Sequence, residues 1–146
     1  MAKGMGARSD QIDWTKHRLR DLADRIDYGF TAKAREETDG PRFLRITDIA
    51  QEHLDWDSIP FCDIPLEEGS RFDLLDGDIV IARTGATVGH AKQIRNLRER
   101  AVFASYLVRV RPCEWVDSDF LGLVVESASY KRWVLQVAGG VAQPNA

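Results

Sequence analysis

The sequence has few of the residues that bind metals or form disulfides. Its 146 residues include two cysteines and three histidines. Cys62 and Cys113 are far apart, and neither lies in the Cys-x-x-Cys or Cys-His spacing of a zinc site. A domain of this length buries about two-thirds of the surface that its unfolded chain exposes, so it needs no disulfide or metal ion to stabilise its fold. These absences predict free thiols, no metal ion and a reducing, cytoplasmic environment.

Long apolar runs are also absent. No stretch approaches the ~18 residues of a membrane span, and residues 1–6 contain no apolar segment of the kind found in signal peptides. Hydrophobic residues make up 44% of the chain and charged residues 29%, which is an ordinary globular composition. We therefore expect a flexible N-terminus, residues 1–13, followed by one globular domain, residues 14–146, with no membrane partner.

The sequence contains no recognisable catalytic motif. The segment Gly85–Gly89 lacks the Gly-Lys-Ser/Thr ending of a phosphate-binding P-loop. Ser105 and His90 lie outside any nucleophile-elbow pattern. Asp78 is followed by no second acid through Ile94, whereas a metal nuclease needs paired carboxylates. The sequence therefore predicts a protein that is not an enzyme and has no cofactor of its own.

Charge, by contrast, is plentiful and unevenly distributed. The formal net charge of -3 argues against a nucleic-acid partner, because such partners usually bind basic domains. Residues 36–80, however, carry a net charge of -10 and residues 81–112 carry +6, while 1–35 and 113–146 carry +3 and -2. Fifteen of the 20 basic residues are arginine, whose rigid fork of donors suits phosphate and the edge of guanine. The total therefore conceals one strongly basic stretch.

Hydrophobic periodicity predicts an α+β domain. An apolar stripe at positions 19, 22, 23 and 26 indicates a short N-terminal amphipathic helix. Alternating and β-branched runs predict strands at 43–49, 78–83, 90–95 and 101–111. A turn is expected at Leu75–Asp78, and an irregular connection at 50–70. Helices are expected at 118–125, capped by Asp117 or Ser118, and at about 129–137. Strands with helices at both ends of the chain are typical of α+β folds.

Several blocks together resemble the target recognition domain of a type I restriction-modification DNA specificity subunit. They are Trp14, Arg18–Ala23 and Tyr28–Thr31, then Phe43–Ile49, then LDGDIVIARTGATVG at Leu75–Gly89. The segments 104–112, 127–131 and 139–145 follow in the family's order. The resemblance covers residues 14–145. Its most specific parts, in combination, are the block ending at Gly89 and the C-terminal sequence GGVAQPN.

The resemblance implies a curved, mixed or antiparallel sheet and a non-catalytic reader of double-stranded DNA. Each recognition domain of this family reads one half of a bipartite site, and long spacer helices dock two modification subunits. Those subunits bind S-adenosylmethionine and methylate adenine, and a restriction subunit that uses ATP and Mg²⁺ joins them. The family's spacer helix is absent after Ala146, so we expect one recognition domain from a truncated chain or a split system, with homodimerisation left open.

A second interpretation remains at this point. The acidic isoelectric point and the missing spacer helix also fit a specificity-subunit fragment that serves mainly as a protein-interaction or assembly module, without independent DNA binding. The acidic span, residues 50–78, is expected to face away from DNA. There it would repel a misdocked duplex, meet a basic partner subunit or simply be solvated.

The first candidate DNA contact is the glycine-bracketed loop at 84–89 with its flanking strands. Its small side chains let backbone amides approach a phosphate. The candidate residues are Arg83, Thr84, Thr87, His90, Lys92 and Arg95. The alternative is structural. In that case Gly85 and Gly89 supply positive φ in a tight hairpin, and Arg83 pairs with Asp78 or Asp76.

The second candidate contact is the polar segment between residues 31 and 45. Arg42 and Arg45 have the side chain that reads guanine, and Lys33 suits a phosphate. Arg45 alternatively faces solvent on its strand. Near the C-terminus, the amide of Gln143 either contacts DNA or fastens the tail to the domain.

The tryptophans are expected to be structural. Reading a duplex requires no stacking platform, so we place Trp14, Trp115 and Trp133 in the core or in helix packing.

Overall fold

Six strands and three helices make up the regular structure of residues 13–138, the part of the chain that the computed structural model describes. The strands are β1 (Ala23–Tyr28), β2 (Arg42–Leu44), β3 (Ile79–Ala82), β4 (Ala91–Gln93), β5 (Ala101–Phe103) and β6 (Leu107–Pro112). The helices are α1 (Ile46–Ile49), α2 (Ser118–Glu126) and α3 (Ala128–Ala138). An antiparallel sheet has the strand order β1-β6-β3-β4, and β2 pairs with β5 in parallel. The expected α+β class is confirmed.

Strand β3 is buried on both faces because it lies between two apolar clusters. Ile79 and Ile81 pack in a cluster that includes Leu121 of α2. The alternate residues, Val80 and Ala82, face the larger cluster built around β2 and β5. Successive side chains of a strand point to opposite faces, so an unbroken apolar run is what a strand between two layers requires.

Strand β6 lies between β1 and β3, and it carries two arginines that are bonded to carboxylates. Arg109 is fully buried, and its guanidinium donates to both carboxylate oxygens of Asp27 at 2.9 and 2.7 Å. It also donates to the carbonyl oxygens of Arg71 and Asp73. Arg111 donates to both oxygens of Asp78, each at 2.7 Å, and this hydrogen bond raises the arginine's pKa. Two bidentate ion pairs therefore connect β6 to Asp27 of β1 and to Asp78, the residue before β3.

Several predicted elements are confirmed. Strands β3 and β4, the loop between them, both C-terminal helices and the turn before β3 lie where the sequence predicts them. In that turn Asp78 accepts a hydrogen bond from the backbone N–H of Leu75. The side chain of Asp117 accepts hydrogen bonds from the backbone N–H groups of Asp119 and Phe120, so Asp117 is the cap of α2. The span 50–70 is irregular apart from two short 3₁₀ turns, Trp56–Ser58 and Leu66–Glu68, and isolated β-bridges of Phe61 with Arg35 and Arg42.

The predicted N-terminal amphipathic helix is wrong. Only Leu19–Leu22 forms a single 3₁₀ turn, and the chain then enters β1. Along β1, half-buried and exposed residues alternate strictly, and the strand pairs with β6. Ile26, which the helical stripe places on an apolar face, is exposed. Pairing with a distant strand outweighs the local helical pattern.

Two predicted strands are shorter than expected. The strand predicted at 43–49 ends at Leu44, because Asp48 accepts hydrogen bonds from both the backbone N–H and the side chain of Arg45 and so caps α1. The strand predicted at 101–111 is divided into β5 and β6, which belong to different sheets. A turn at residues 104–106 separates them, and the side-chain pattern does not reveal it.

The expectation for the tryptophans is also wrong, because Trp14, Trp115 and Trp133 are all more than half exposed. The expected free thiols are confirmed. Cys62 is buried, and burial raises its pKa to about 11, whereas Cys113 is half-buried. Within residues 13–138, no helix is both long and apolar enough to cross a bilayer. Apart from Asp13, the expected flexible N-terminus lies outside the described residues, and so does Gln143.

We expect Asp27→Ala to destabilise the domain by about 3–5 kcal/mol, because it leaves the buried Arg109 charge without its carboxylate. Urea unfolding followed by circular dichroism measures this change. The matched control is Arg35→Ala, which breaks the exposed ion pair with Asp63 and is expected to cost less than ~1 kcal/mol. Equal losses in the two variants would contradict a special role for the buried pair.

Candidate nucleic-acid interface

One end of the four-stranded sheet gathers the candidate residues of the loop between β3 and β4. The register places Tyr28 opposite Val108 and Ala82 opposite Leu107, so β1 and β3 end here while β6 begins. We call this the Tyr28 end of the sheet. Four of the predicted contacts follow β3 or precede β4 and therefore lie at this end: Arg83, Thr84, Thr87 and His90.

Arg83 lies against an aromatic ring and not against a carboxylate. Its guanidinium carbon is 4.5 Å from the centre of the Tyr28 ring, a distance typical of a cation–π contact. The alternative pairing with Asp78 or Asp76 is not formed, because Asp78 binds Arg111 and Asp76 accepts from the backbone of Leu97. Within residues 13–138, the Arg83 side chain makes neither a salt bridge nor a hydrogen bond, and its Nε is buried without a partner.

The loop is a tight turn built on two glycines. Gly85 and Gly89 have φ values of +71° and +82°, as the structural interpretation of this loop predicts. Between them, Gly85–Thr87 forms a 3₁₀ turn, and the hydroxyl of Thr87 donates to the carbonyl oxygen of Thr84. A Cβ at Gly85 would meet no atom within 4 Å, whereas one at Gly89 would lie 3.1 Å from Val134 of α3. The loop is therefore open at its first glycine and packed against α3 at its second.

The surroundings of His90 favour its neutral form. Its partial burial lowers the imidazole pKa below the ordinary 6.5, and the nearby positive charges of Lys131 and Lys92 lower it further. A neutral imidazole offers one hydrogen-bond donor and one acceptor. In its neutral form His90 can therefore bond to a base edge or a phosphate oxygen without supplying a charge.

A cleft of about 340 Å³ adjoins the Tyr28 end. Its lining is mainly apolar, with Phe30 and Phe43 among its walls, and Thr31, Arg45 and Tyr106 supply polar atoms. Tyr106 also connects the cleft to the loop, because its carbonyl oxygen accepts from the backbone N–H of Arg83 at 3.3 Å.

Arg45 is held in a fixed position beside this cleft. Asp48 accepts from its Nε at 3.1 Å and from its Nη2 at 2.9 Å, and this hydrogen bonding raises the pKa of the guanidinium. A neighbouring cleft contains Lys33 beside the ion pair of Arg35 with Asp63. Segment 30–32 lines both clefts. Two members of the second predicted group, Lys33 and Arg45, therefore lie beside the first group.

Other predicted contacts are separated from this surface or bonded internally. Arg42 pairs with Glu99 at 2.6 Å, stacks on Phe61 and donates to the carbonyl of Ile59. Lys92, in β4, donates to the backbone carbonyl of Glu52. Arg95 follows β4 at the opposite end of the sheet, 3.8 Å from Asp119. The basic stretch at 81–112 thus does not form one patch.

Sequence reasoning missed three residues at the Tyr28 end. Tyr28 and Tyr106 are both exposed aromatics beside Arg83. Lys131 of α3 lies close enough to lower the pKa of His90. Each is distant in sequence from the loop, and only Tyr28, adjacent to a glycine turn, carried a local signal. Among the described residues, no group of three or more His, Cys, Asp or Glu side chains is placed to hold a metal ion.

We expect His90 to titrate below pH 6.5 in an NMR titration of its ring protons, and Lys131→Ala to move that value upward. Because the folded-state pKa lies below that of the unfolded chain, protonation favours unfolding. The contribution of His90 to stability is thus complete above pH 6.5 and is lost as the pH falls toward the folded-state pKa. A midpoint at or above 6.5 would contradict this environment.

Comparison with known proteins identifies a solved structure with a similar fold. The chain matches no protein-family model and no curated protein. Its fold is similar to that of a chain in a solved structure concerned with complex assembly and conformational transition of the type I R-M system, with a TM-score of 0.57 and 21% sequence identity. The match covers 74% of this chain and 26% of that chain, so this chain spans about a quarter of its neighbour's length. The α+β domain is therefore a fold that also occurs in a type I R-M protein.

Proposed function

We propose that this chain binds double-stranded DNA sequence-specifically, as a target recognition domain of a type I specificity subunit, and that the Tyr28 end of the sheet contacts the duplex. The observation that carries the proposal is the guanidinium of Arg83, stacked on an exposed tyrosine and bonded to no carboxylate of the described residues. The fold shared with a type I R-M protein supports the same conclusion.

The chemistry of Arg83 suits a nucleic-acid ligand. A guanidinium that rests on a ring is held flat and loses little side-chain freedom when it binds. Its terminal donors match the two acceptors at the major-groove edge of guanine, or two oxygens of a phosphate. Paired arginines such as Arg42 and Arg109 have already used their donors within the protein.

The loop adjoining Arg83 supplies contacts of a second kind. The space around Gly85 is open, so a phosphate can approach the backbone there without meeting a side chain. Lys131 and Lys33 flank this surface and supply charge that does not depend on sequence. In this arrangement Arg83 reads a base and provides specificity, while the phosphate contacts of the loop fix the position of the duplex.

Other chains of the restriction-modification system carry out its catalytic steps. The partners are modification subunits that bind S-adenosylmethionine and methylate DNA, and a restriction subunit that uses ATP and Mg²⁺. This chain reads one half of a bipartite site and is not itself an enzyme. It acts in the cytoplasm, where the DNA of a host cell and of an invading phage is accessible.

We expect Arg83→Ala to weaken binding to the preferred duplex by about tenfold or more, because a bidentate contact to guanine is worth ~1–3 kcal/mol. The preferred site is first selected from a randomised duplex library, and affinity is then measured by fluorescence anisotropy at several salt concentrations. Arg83→Lys keeps the charge but not the fork, so it should retain binding to random DNA and lose preference at one base pair.

Arg98→Ala is the matched control for this experiment. Arg98 follows β4 toward the opposite end of the sheet, and among residues 13–138 it forms no salt bridge. Its removal takes away the same charge and should change affinity by no more than ~2-fold at moderate salt. Equal losses for Arg83→Ala and Arg98→Ala would show that only net charge matters, and failure to enrich any sequence would contradict specific reading.

Lys92 and Arg95 provide a further test of where the interface lies. Both are predicted contacts, but the amine of Lys92 and the guanidinium of Arg95 lie beside Glu52 and Asp119. We expect Lys92→Ala with Arg95→Ala to leave the slope of log affinity against log salt nearly unchanged. If the slope instead falls by about two, these residues contact phosphates and the interface extends along β4.

A further inference from the structure

The cleft of about 340 Å³ beside the Tyr28 end is lined mostly by three residue types. Two phenylalanines, two threonines and three alanines make up most of its wall, and Phe30, Thr31 and Ala34 are among them. None of the described residues that line it is acidic. We call it the Phe30 cleft. Its surface therefore offers methyl groups and aromatic rings and carries no negative charge.

The walls of the Phe30 cleft belong to the folded core. Phe43 of β2 and Ala104 are buried. The backbone N–H of Phe30 donates to the carbonyl oxygen of Phe103 at 2.8 Å, and its own carbonyl oxygen accepts from the N–H of Ser105 at 3.0 Å. The cleft is thus formed before any ligand arrives, and a ligand that enters it does not have to order the walls.

The Phe30 cleft is close to Arg83. Phe30 follows Tyr28, on whose ring Arg83 lies, by two residues, which span at most about 7 Å of chain. Tyr106 lines the cleft, and its carbonyl oxygen accepts from the backbone N–H of Arg83. Because successive bases of a strand are about 3.4 Å apart, a duplex bound at Arg83 has base pairs within reach of the cleft.

Cations on two sides of the Phe30 cleft favour an anionic partner. Arg83 lies on one side, and Lys33 lies in the adjoining cleft, with which the Phe30 cleft shares segment 30–32. The carboxylate of that second cleft, Asp63, is already bonded to Arg35 and Thr38. Within residues 13–138, neither Arg83 nor Lys33 forms a salt bridge. An occupant of this cleft is therefore apolar itself but is carried by a polyanion.

Double-stranded DNA has one group of this kind in its major groove. The C5-methyl group of thymine is the apolar feature of the base edges there, and phenylalanine, alanine and the threonine methyl group are the side chains that contact it. These are the residue types of the Phe30 cleft. Arg83, the neighbouring side chain, has the donors that read guanine.

We propose that the Phe30 cleft receives the methyl group of thymine, so that the half-site has a T·A pair within about three base pairs of the guanine that Arg83 reads. This inference rests on the proposed function. It adds a second determinant of specificity, which reads a base by apolar contact and without a hydrogen bond.

Replacing thymine by deoxyuridine tests the proposal, because this change removes only the methyl group. We expect the duplex selected from the randomised library to bind the whole chain roughly fourfold more weakly for each methyl group that the cleft buries. Fluorescence anisotropy measures the affinity. The matched control is the same duplex with deoxyuridine only at positions more than five base pairs from that guanine, and its affinity should not change.

Ala34→Leu assigns the effect to the cleft. Ala34 is exposed in the cleft wall, so leucine places a larger side chain there without disturbing the core. This variant should bind the thymine and deoxyuridine duplexes equally, at about the affinity that the unmodified chain has for deoxyuridine. Ala128→Leu is the control, because Ala128 is exposed at the start of α3 and lines neither cleft. It should keep the fourfold preference for thymine.

Three results would overturn the proposal and leave the proposed function standing. They are a selected half-site with only G·C pairs near the base that Arg83 reads, equal affinity of the unmodified chain for both duplexes, and a preference for thymine that survives Ala34→Leu. The first two would leave the cleft for another occupant, such as a side chain of a partner subunit. Failure to enrich any sequence would instead overturn the proposed function and this inference with it.

Discussion

The fully buried guanidinium of Arg109 is the constraint on which the sheet depends. A charge without access to water is tolerated only when acceptors surround it, and here they come from two parts of the chain. Asp27 lies directly opposite on β1, and the carbonyl oxygens of Arg71 and Asp73 come from the segment before β3. Strand β6, which carries Arg109, is therefore stable only when β1 and the segment before β3 are both folded against it.

The same requirement explains why net charge along the sequence is a poor guide to the surface. The stretch 81–112 carries a net charge of +6, but three of its arginines form ion pairs within the domain. Arg100, Arg109 and Arg111 pair with Asp73, Asp27 and Asp78, respectively. Two of those acids belong to the stretch with -10. Many charges of the acidic and basic segments therefore neutralise each other in ion pairs within the folded domain. What remains for a partner is a small set of cations, and Arg83 is distinguished among them by its aromatic support.

The sequence predicted best those elements whose signal is local. Strand β3 is an unbroken β-branched run, the loop after it is bracketed by glycines, and α2 begins at a capping aspartate. It predicted poorly the elements that long-range pairing defines. Strand β1 satisfies a helical stripe as well as a strand pattern, and only its pairing with β6 decides between them. The same holds for the candidate site, because the sequence predicted its loop but not Tyr28, whose ring lies against Arg83.

Helix α3 supports the loop of the proposed DNA contact. Val134 packs against Gly89, where any larger residue would be both strained and crowded, so the helix fixes the far side of the loop. Trp133, the residue before Val134, lies on the exposed side of the same helix. The same helix carries Lys131, the lysine beside His90. Because α3 is packed against the domain, it fixes the loop and this lysine before DNA binds, and a loop that is already rigid loses less conformational entropy when it meets its ligand.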